Sequence, residues 1–430
     1  MKRYAGAVML AAITLPLAAC GSSGGGGSEP TTGPISIWYS TNEQEIAWGE
    51  EVVKAWNAEH PDAQVKAEAI PAGKSSEDAI AAAITAGNTP CLVYNTAPAA
   101  VPAFQKQGGL VNLSKTFDDA ESFITSRSGD AADGFRSPDG DLYQVPWKAN
   151  PFMLYYSKEA FAKAGLDPEK PSLSTYDDVL AAASAIKTSG AADFALYPPA
   201  SSDYTNSLFD FYPLYLANTG GTQLVKDGSA TFTSPEGLET LEFWKTLYSE
   251  GFSSPEAYSG DAWAGPFADG VAAMGIAGPW GAAQFDGKVD YGVVPLPTAD
   301  GVPENETYTF GDSKNVGLYS SCENQQTAWE FVKFSMDAGN DNALLETTGQ
   351  FPIRTDISEV AADYLAENPV LATFSEEVAR TVDVPNIPNA TEIWQTFRDA
   401  WSGAVMSGEG DLAGTMNSAA EEINDLAGKD

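Results

Sequence analysis

The segment FADGVAAMGIAGPWGAAQF, Phe267 to Phe285, decides how the chain is read. Asp269-Gly270 is turn chemistry, and Val271-Ala272-Ala273-Met274-Gly275-Ile276-Ala277 is an apolar run of buried-strand length. Gly278-Pro279 stops that run, and a proline suits the first position of a new helix, where its missing N–H costs nothing. The stretch predicts a strand that ends abruptly and presents Trp280 at a helix N-terminus, on small residues that let a ligand come close. In isolation Trp280 is equally a core tryptophan on an ordinary strand-to-helix turn. The rest of the chain decides between the two.

Outward from this stretch, strands are expected at Tyr291 to Val294 and Asn315 to Tyr319, and helices at Gln325 to Met336, Thr391 to Val405 and Leu412 to Leu426. Toward the N-terminus, helices are expected at Tyr176 to Lys187 and Glu236 to Gly251, and a strand at Phe152 to Tyr156 before a short helix from Lys158 to Ala164. The mature body opens with a strand at Ile35 to Ser40 and an amphipathic helix at Glu43 to Glu59. A strand at Gln64 to Ile70, a helix capped by Ser75, a strand at Cys91 to Asn95 and a helix at Ala97 to Gln107 follow. Strands alternating with helices at this spacing predict βαβ units and a mostly parallel sheet. Such sheets bind ligands at the carboxyl ends of their strands, here Ser40-Thr41-Asn42 and Tyr94-Asn95-Thr96.

The chain has 430 residues, 43% of them hydrophobic and 11% aromatic, enough for a large core and for two or three domains. Its formal charge of -36 becomes -38 if Lys2 and Arg3 leave with a leader. A surface this acidic repels nucleic acid phosphates and anionic lipid heads, so neither is an expected partner. Lys2-Arg3 followed by the apolar run Ala5 to Ala19 reads as a signal peptide over residues 1–19, too short to span a membrane, which takes roughly 20 apolar residues. Leu17-Ala18-Ala19-Cys20 resembles a lipobox, in which cleavage before Cys20 leaves a thiol to be acylated; residues 20–34 are then a lipidated cysteine and a Gly/Ser tether. The expected location is extracytoplasmic, on the outer face of the cell membrane. Cys91 and Cys322 remain, and a thiol pair outside the cytoplasm forms a disulfide more often than it stays reduced; two buried free thiols are the alternative.

Several segments in order resemble bacterial sugar-binding lipoproteins of ABC importers, the extracellular solute-binding proteins related to the maltose-binding protein. They are GGLVNLS, YQVPW, LYYSKEAFAKAGL, FADGVAAMGIAGPW, YGVVPLP, AWEFVKF and FPIR, joined by Pro90 with its strand, and the likeness runs from Ile35 to the C-terminus. PNIPNATEIW, Pro385 to Trp394, resembles a family segment whose tryptophan stacks on sugar. The resemblance implies an α/β, type II periplasmic-binding-protein-like fold: two lobes joined by a multi-strand hinge, with the ligand between them. Residues 35–147 and 286–338 would form the first lobe, and 148–285 and 339–430 the second. It implies that Trp280 and Trp394 stack on ligand, with Phe209 and Tyr212 as further stackers. Asn150, Ser40 and Asn42 would supply polar contacts, and Asn95 stands where the family has an aromatic residue. Trp263, Asp312 and Arg354, with Asp203, Tyr204 and Asp261, lie near the cleft by adjacency. Cys91 and Cys322 fall on neighbouring strands of the first lobe, which makes their pairing reasonable.

The implied function is capture of a neutral oligosaccharide by hinge closure and delivery to an ABC permease, by a monomer that needs no cofactor and no metal. A pyranose has apolar C–H faces that stack on rings and a rim of hydroxyls that need paired donors and acceptors. Enzyme chemistry has little to stand on, because His60 is the one histidine and reads as a solvated residue. Gly73-Lys74-Ser75 is a near-miss P-loop lacking its first glycine, and Tyr155-Tyr156 has the look of an iron-binding pair but lies inside a strand motif. A glycoside hydrolase would also line a cleft with tryptophans and carboxylates, but among 59 acidic residues chance pairs carry no information. A polar-solute binder, for a glycerol-phosphate ester or a polyamine, is the other class; for a phosphate, Lys148, Lys314 and Arg354 would be its bases.

Overall fold

A computed structural model describes residues 31–40, 42–71 and 76–428. The leader, Cys20 and most of the tether, Thr41, the expected cap Ser75 and the Gly73-Lys74-Ser75 segment lie outside the described residues. Two α/β lobes are organised on two sheets. The larger sheet has six strands in the order Phe351–Pro352, Val145–Ala149, Lys314–Leu318, Leu92–Thr96, Ile35–Trp38 and Val65–Glu68. Ile35–Trp38 runs parallel to both of its neighbours, as the βαβ reading requires. Lys314–Leu318 enters antiparallel to Leu92–Thr96 and to Val145–Ala149, so the sheet is mixed rather than mostly parallel. The smaller sheet is wholly antiparallel: Met153–Ser157 lies between Met274–Ala277 and Tyr291–Val294.

The helices follow their caps. Glu43–Glu59 starts at Asn42, whose Oδ1 accepts the amides of Gln44 at 2.9 Å and Glu45 at 3.1 Å. Tyr176–Ser189 starts in a capping box made by Thr175 and Asp178 and ends at Gly190 with φ 65°. No helix among the described residues is long and apolar enough to cross a membrane.

Strand pairing moves two of the expected lobe boundaries. Tyr291–Val294, expected in the first lobe, pairs with the smaller sheet. Phe351–Pro352, expected in the second, pairs with the larger sheet, and the helix before it, Ala338–Thr348, packs on Glu43–Glu59. The chain crosses between lobes at 149–153, where Asn150 N–H donates to Gly311 O at 2.5 Å and Phe152 N–H to Phe310 O at 3.2 Å. Beside this crossing, Thr309–Phe310 pairs in parallel with Thr381–Val382. Cys91 and Cys322, at the facing ends of the antiparallel pair Leu92–Thr96 and Lys314–Leu318, are joined by a disulfide with their Cα atoms 4.5 Å apart.

Candidate ligand-binding site

The Phe267–Phe285 stretch folds as its chemistry dictates. Met274–Ala277 is a strand of the smaller sheet, Pro279 occupies the N-cap position with φ -63°, and Trp280–Phe285 is a short helix. Gly278 permits a close approach, because a Cβ there would lie 2.7 Å from Trp280 Nε1 and 3.3 Å from Asn150 Cβ. The Tyr155 hydroxyl donates to Gly278 O at 3.0 Å and braces the turn. Tyr155 and Tyr156 are both buried, and Tyr156 donates to Pro168 O; they are core residues, not ion ligands.

Trp280, half-buried, meets buried Phe152 edge-to-face at 6.4 Å. Phe152 meets Phe209 at 5.3 Å, and Phe209 meets Trp263 edge-to-face at 4.6 Å. Trp263 is 41% exposed, where a large aromatic side chain is normally covered. Three aromatic rings from separate segments thus form a partly open row, with Trp280 and Phe209 seated on Phe152 and Trp263 on Phe209. Sequence reasoning had Trp280, Phe209 and Trp263 but not Phe152, whose place at the crossing between lobes was the available signal.

Beside the row lies a polar cluster. Asn150 donates through Nδ2 to Gln350 Oε1 at 3.2 Å, and Lys148 Nζ reaches the same oxygen at 2.7 Å while pairing with Glu45. Gln350 Nε2 donates to Glu45 Oε1 at 2.9 Å. Burial pushes the Glu45 carboxyl up, and Lys148, together with hydrogen bonds from Ser40 and Gln350, more than offsets this and holds it below the ordinary glutamate range. Ser40 Oγ, at the end of Ile35–Trp38, accepts from Asn95 Nδ2 at 3.2 Å and from the Asn42 amide at 3.0 Å. Glu45 Oε2, Asn150 Oδ1 and Asn95 Oδ1 are buried acceptors with no partner. Asn95 and Asp312, with φ 61° and 37°, hold left-handed backbone that costs of order 1–3 kcal/mol in a non-glycine residue, and such strain concentrates at functional sites. Lys314 Nζ contacts Asp312 Oδ1 at 2.5 Å.

Four expected site residues are placed otherwise. Trp394 is 1% exposed and packs edge-to-face on Tyr212 at 4.9 Å inside the second lobe's core. Tyr212 is equally buried and donates its hydroxyl to Asp383 O at 3.0 Å. Asn42 spends its side-chain oxygen on the helix cap. Arg354 pairs with Asp341 at 3.0 Å and Asp356 at 2.9 Å, in a network that also holds Arg127. Among the adjacency candidates, Asp203 and Asp261 accept the amides of Thr205 and Trp263 in local turns. His60, expected to be solvated, is half-buried and stacks on Trp56 at 3.7 Å.

A family model for bacterial extracellular solute-binding proteins matches residues 51–373. The chain is 25% identical, over an alignment of 433 positions, to the galactooligosaccharide-binding protein of Bacillus subtilis, covering 96% of this chain and 94% of that one. It is 26% identical over 374 residues to the sn-glycerol-3-phosphate-binding periplasmic protein UgpB of Escherichia coli, covering 82% of each. Among solved structures, the cyclic alpha-maltosyl-1,6-maltose binding protein of Arthrobacter globiformis shares the fold with TM-score 0.78 at 21% identity, over 92% of this chain and 99% of that one. The match over most of its length, on a fold of two α/β lobes, makes this chain a member of the bacterial extracellular solute-binding proteins, the solute-capturing components of ABC importers.

Proposed function

We propose that the chain captures a neutral oligosaccharide between its lobes and delivers it to an ABC permease, as a monomer tethered to the outer face of the cell membrane through Cys20. The observation that carries this reading is the aromatic row of Trp280, Phe209 and Trp263 beside the polar cluster of Asn150, Asn95 and Ser40. Sugar rings stack on the former, and hydroxyls fill the unpaired acceptors of the latter. The cations support a neutral ligand. Lys148 is taken by Glu45, Lys314 by Asp312, and Arg354 by Asp341 and Asp356, so none of the three is free to hold a phosphate. The likeness to a galactooligosaccharide-binding protein points the same way. The likeness to UgpB keeps a glycerol-phosphate ester as the second reading.

Thermal shift and titration calorimetry of residues 35–430 against neutral di- to hexasaccharides and against sn-glycerol 3-phosphate separate the two. A ligand at about 100 times its Kd stabilises the folded form by about 2.7 kcal/mol and raises the melting point by a few degrees. The neutral sugars are expected to do this and the ester is not; the reverse result would replace the first reading with the second. For the tether, Cys20→Ser is expected to release the protein from the membrane fraction into the medium, and unchanged membrane retention would remove the lipid anchor.

A further inference from the structure

Just past the last crossing between the lobes, one stretch of the second lobe reaches over to the first. Val384 is buried in the second lobe's apolar interior and Ile387 packs against it. Asp383, just before them, is held through its backbone carbonyl by Tyr212 at 3.0 Å and Gln223 at 2.9 Å. Between these anchors Asn386 donates through Nδ2 to Arg136 O at 3.0 Å, 250 positions away in the chain. The acceptor belongs to the first lobe. Its neighbour Phe135 and its bridge partner Leu142 are buried in that lobe's core, and its guanidinium is fixed by Glu121 at 2.8 Å and Asp133 at 3.0 Å. A second contact follows a few residues on. Ala99, in the first-lobe turn Pro98–Ala100, packs on the second lobe's interior, where that turn meets the helix Ala390–Trp401. Tyr204, at the start of Thr205–Phe209 on the same helix, lies within electrostatic reach of Glu77 and Asp78 in the first-lobe helix Ser76–Ala86. Asn389, which opens Ala390–Trp401, holds left-handed backbone with φ 59° and donates through Nδ2 to Leu426 O at 3.0 Å, so the bend between the two contacts is itself fixed to the second lobe.

Both contacts are made by protein groups alone. Two lobes on a hinge are an equilibrium between open and closed arrangements, and a contact that only the closed one can make shifts that equilibrium as a ligand would. A ligand that requires closure binds with its intrinsic Kd divided by the closed fraction, so such a contact is read out as affinity. We propose that Pro385–Asn389 is a strap that draws the lobes together without help from the solute and sets the fraction of the protein that is closed before capture. This holds whichever solute the cleft takes.

The test removes the two contacts. Asn386→Ala deletes the donor, and Asn386→Asp deletes it while keeping the shape. Ala99→Glu sets a carboxylate beside Glu77, whose Oε1 takes the Ala97 amide at 3.4 Å. Asn386 and Ala99 are only partly buried, so the variants are expected to keep the wild-type melting temperature. In small-angle X-ray scattering with no solute added, the wild type is expected to match the lobe arrangement of this structure. Each variant should show a larger radius of gyration, and Asn386→Ala with Ala99→Glu the largest. In calorimetry against neutral di- to hexasaccharides and sn-glycerol 3-phosphate, every solute that binds should lose about fivefold per variant, as one hydrogen bond allows, with the rank order unchanged. A double variant with the wild-type radius overturns the proposal, whatever happens to affinity. A changed rank order also overturns it, because it would make Asn386 or Ala99 a ligand contact. If no solute of the panel binds, the readings of the cleft fall while scattering still decides the strap.

Discussion

Trp280 and Trp394 both begin or sit within helices of the second lobe, yet one stays half-buried and the other is sealed in the core. The difference follows from what each helix packs against. Trp280 opens a six-residue helix after Gly278-Pro279, at the edge between two clusters, and stays half-buried. Trp394 belongs to Ala390–Trp401, in which Ile393, Trp394, Phe397 and Trp401 recur three and four positions apart and are all buried. That spacing is an inward stripe, and it was readable in the sequence. Asn42 carried a similar signal, a capping residue three positions before Glu45 at a helix start. In both cases a likeness to ligand-contacting positions hid a local pattern that already accounted for the residue. The two classes predict opposite behaviour. Trp280→Ala and Trp263→Ala should each weaken sugar binding about tenfold or more in calorimetry, with melting temperature little changed, since each removes a stacking face worth about 1–2 kcal/mol. Trp394→Ala should instead lose about 3–5 kcal/mol in urea unfolding, because it opens a cavity among Tyr212 and Phe397. A Trp394→Ala protein of wild-type stability and lost affinity would return that residue to the cleft.

At the scale of elements, helix positions and most strands were legible because each is a local pattern of caps, breakers and period. Sheet direction was not. The strands that make the larger sheet mixed, Lys314–Leu318 and Phe351–Pro352, come from far along the chain, and nothing local states which way they enter. The same distance hid the polar cluster, since Lys148 meets residues 103 and 202 positions away. The parallel pair Thr309–Phe310 and Thr381–Val382 brings up another such residue, Asp383. Its Oδ1 accepts the Ser313 amide at 3.0 Å, beside Asp312 and Lys314. Burial pushes its carboxyl up to about 6. Unfolded, the group titrates near 3.9, so between about pH 4 and 6 the folded form keeps a proton that the unfolded chain gives up. The stability contributed by this residue is therefore present below about pH 4 and lost as pH rises through 6. Asp383→Asn, which can still accept the Ser313 amide, should remove that loss. Relative to wild type its stability in urea should gain about 2 kcal/mol between pH 4 and pH 7. A difference between the two proteins that does not change with pH would show that the carboxyl titrates normally.

Across the whole molecule, two lobes share one chain but not one source of stability. The larger-sheet lobe alone carries the disulfide, and Cys91 and Cys322 are 231 positions apart in sequence. Much of the second lobe lies within the span that the bond closes, including Met153–Ser157, Met274–Ala277 and Tyr291–Val294. Closing a loop of that length removes roughly 5 kcal/mol of conformational freedom from the unfolded chain on the entropy model. Each lobe also has an apolar interior of its own, with Trp48 against Trp147 and Phe117 against Trp329 in the first and Phe211 against Phe397 and Trp244 against Trp401 in the second. With the bond gone, the lobes lose a common constraint while each core keeps its own contacts. Cys91→Ser with Cys322→Ser should then lower stability by up to about 5 kcal/mol. The loss should appear first in the larger sheet, because the bond pins the facing ends of Leu92–Thr96 and Lys314–Leu318. Hydrogen-exchange mass spectrometry reads this directly: amides of those two strands and of Ile35–Trp38 should lose protection, while Met153–Ser157 and Met274–Ala277 keep theirs. Protection lost equally in both sheets would mean that the lobes unfold as a single unit and that the bond serves them alike.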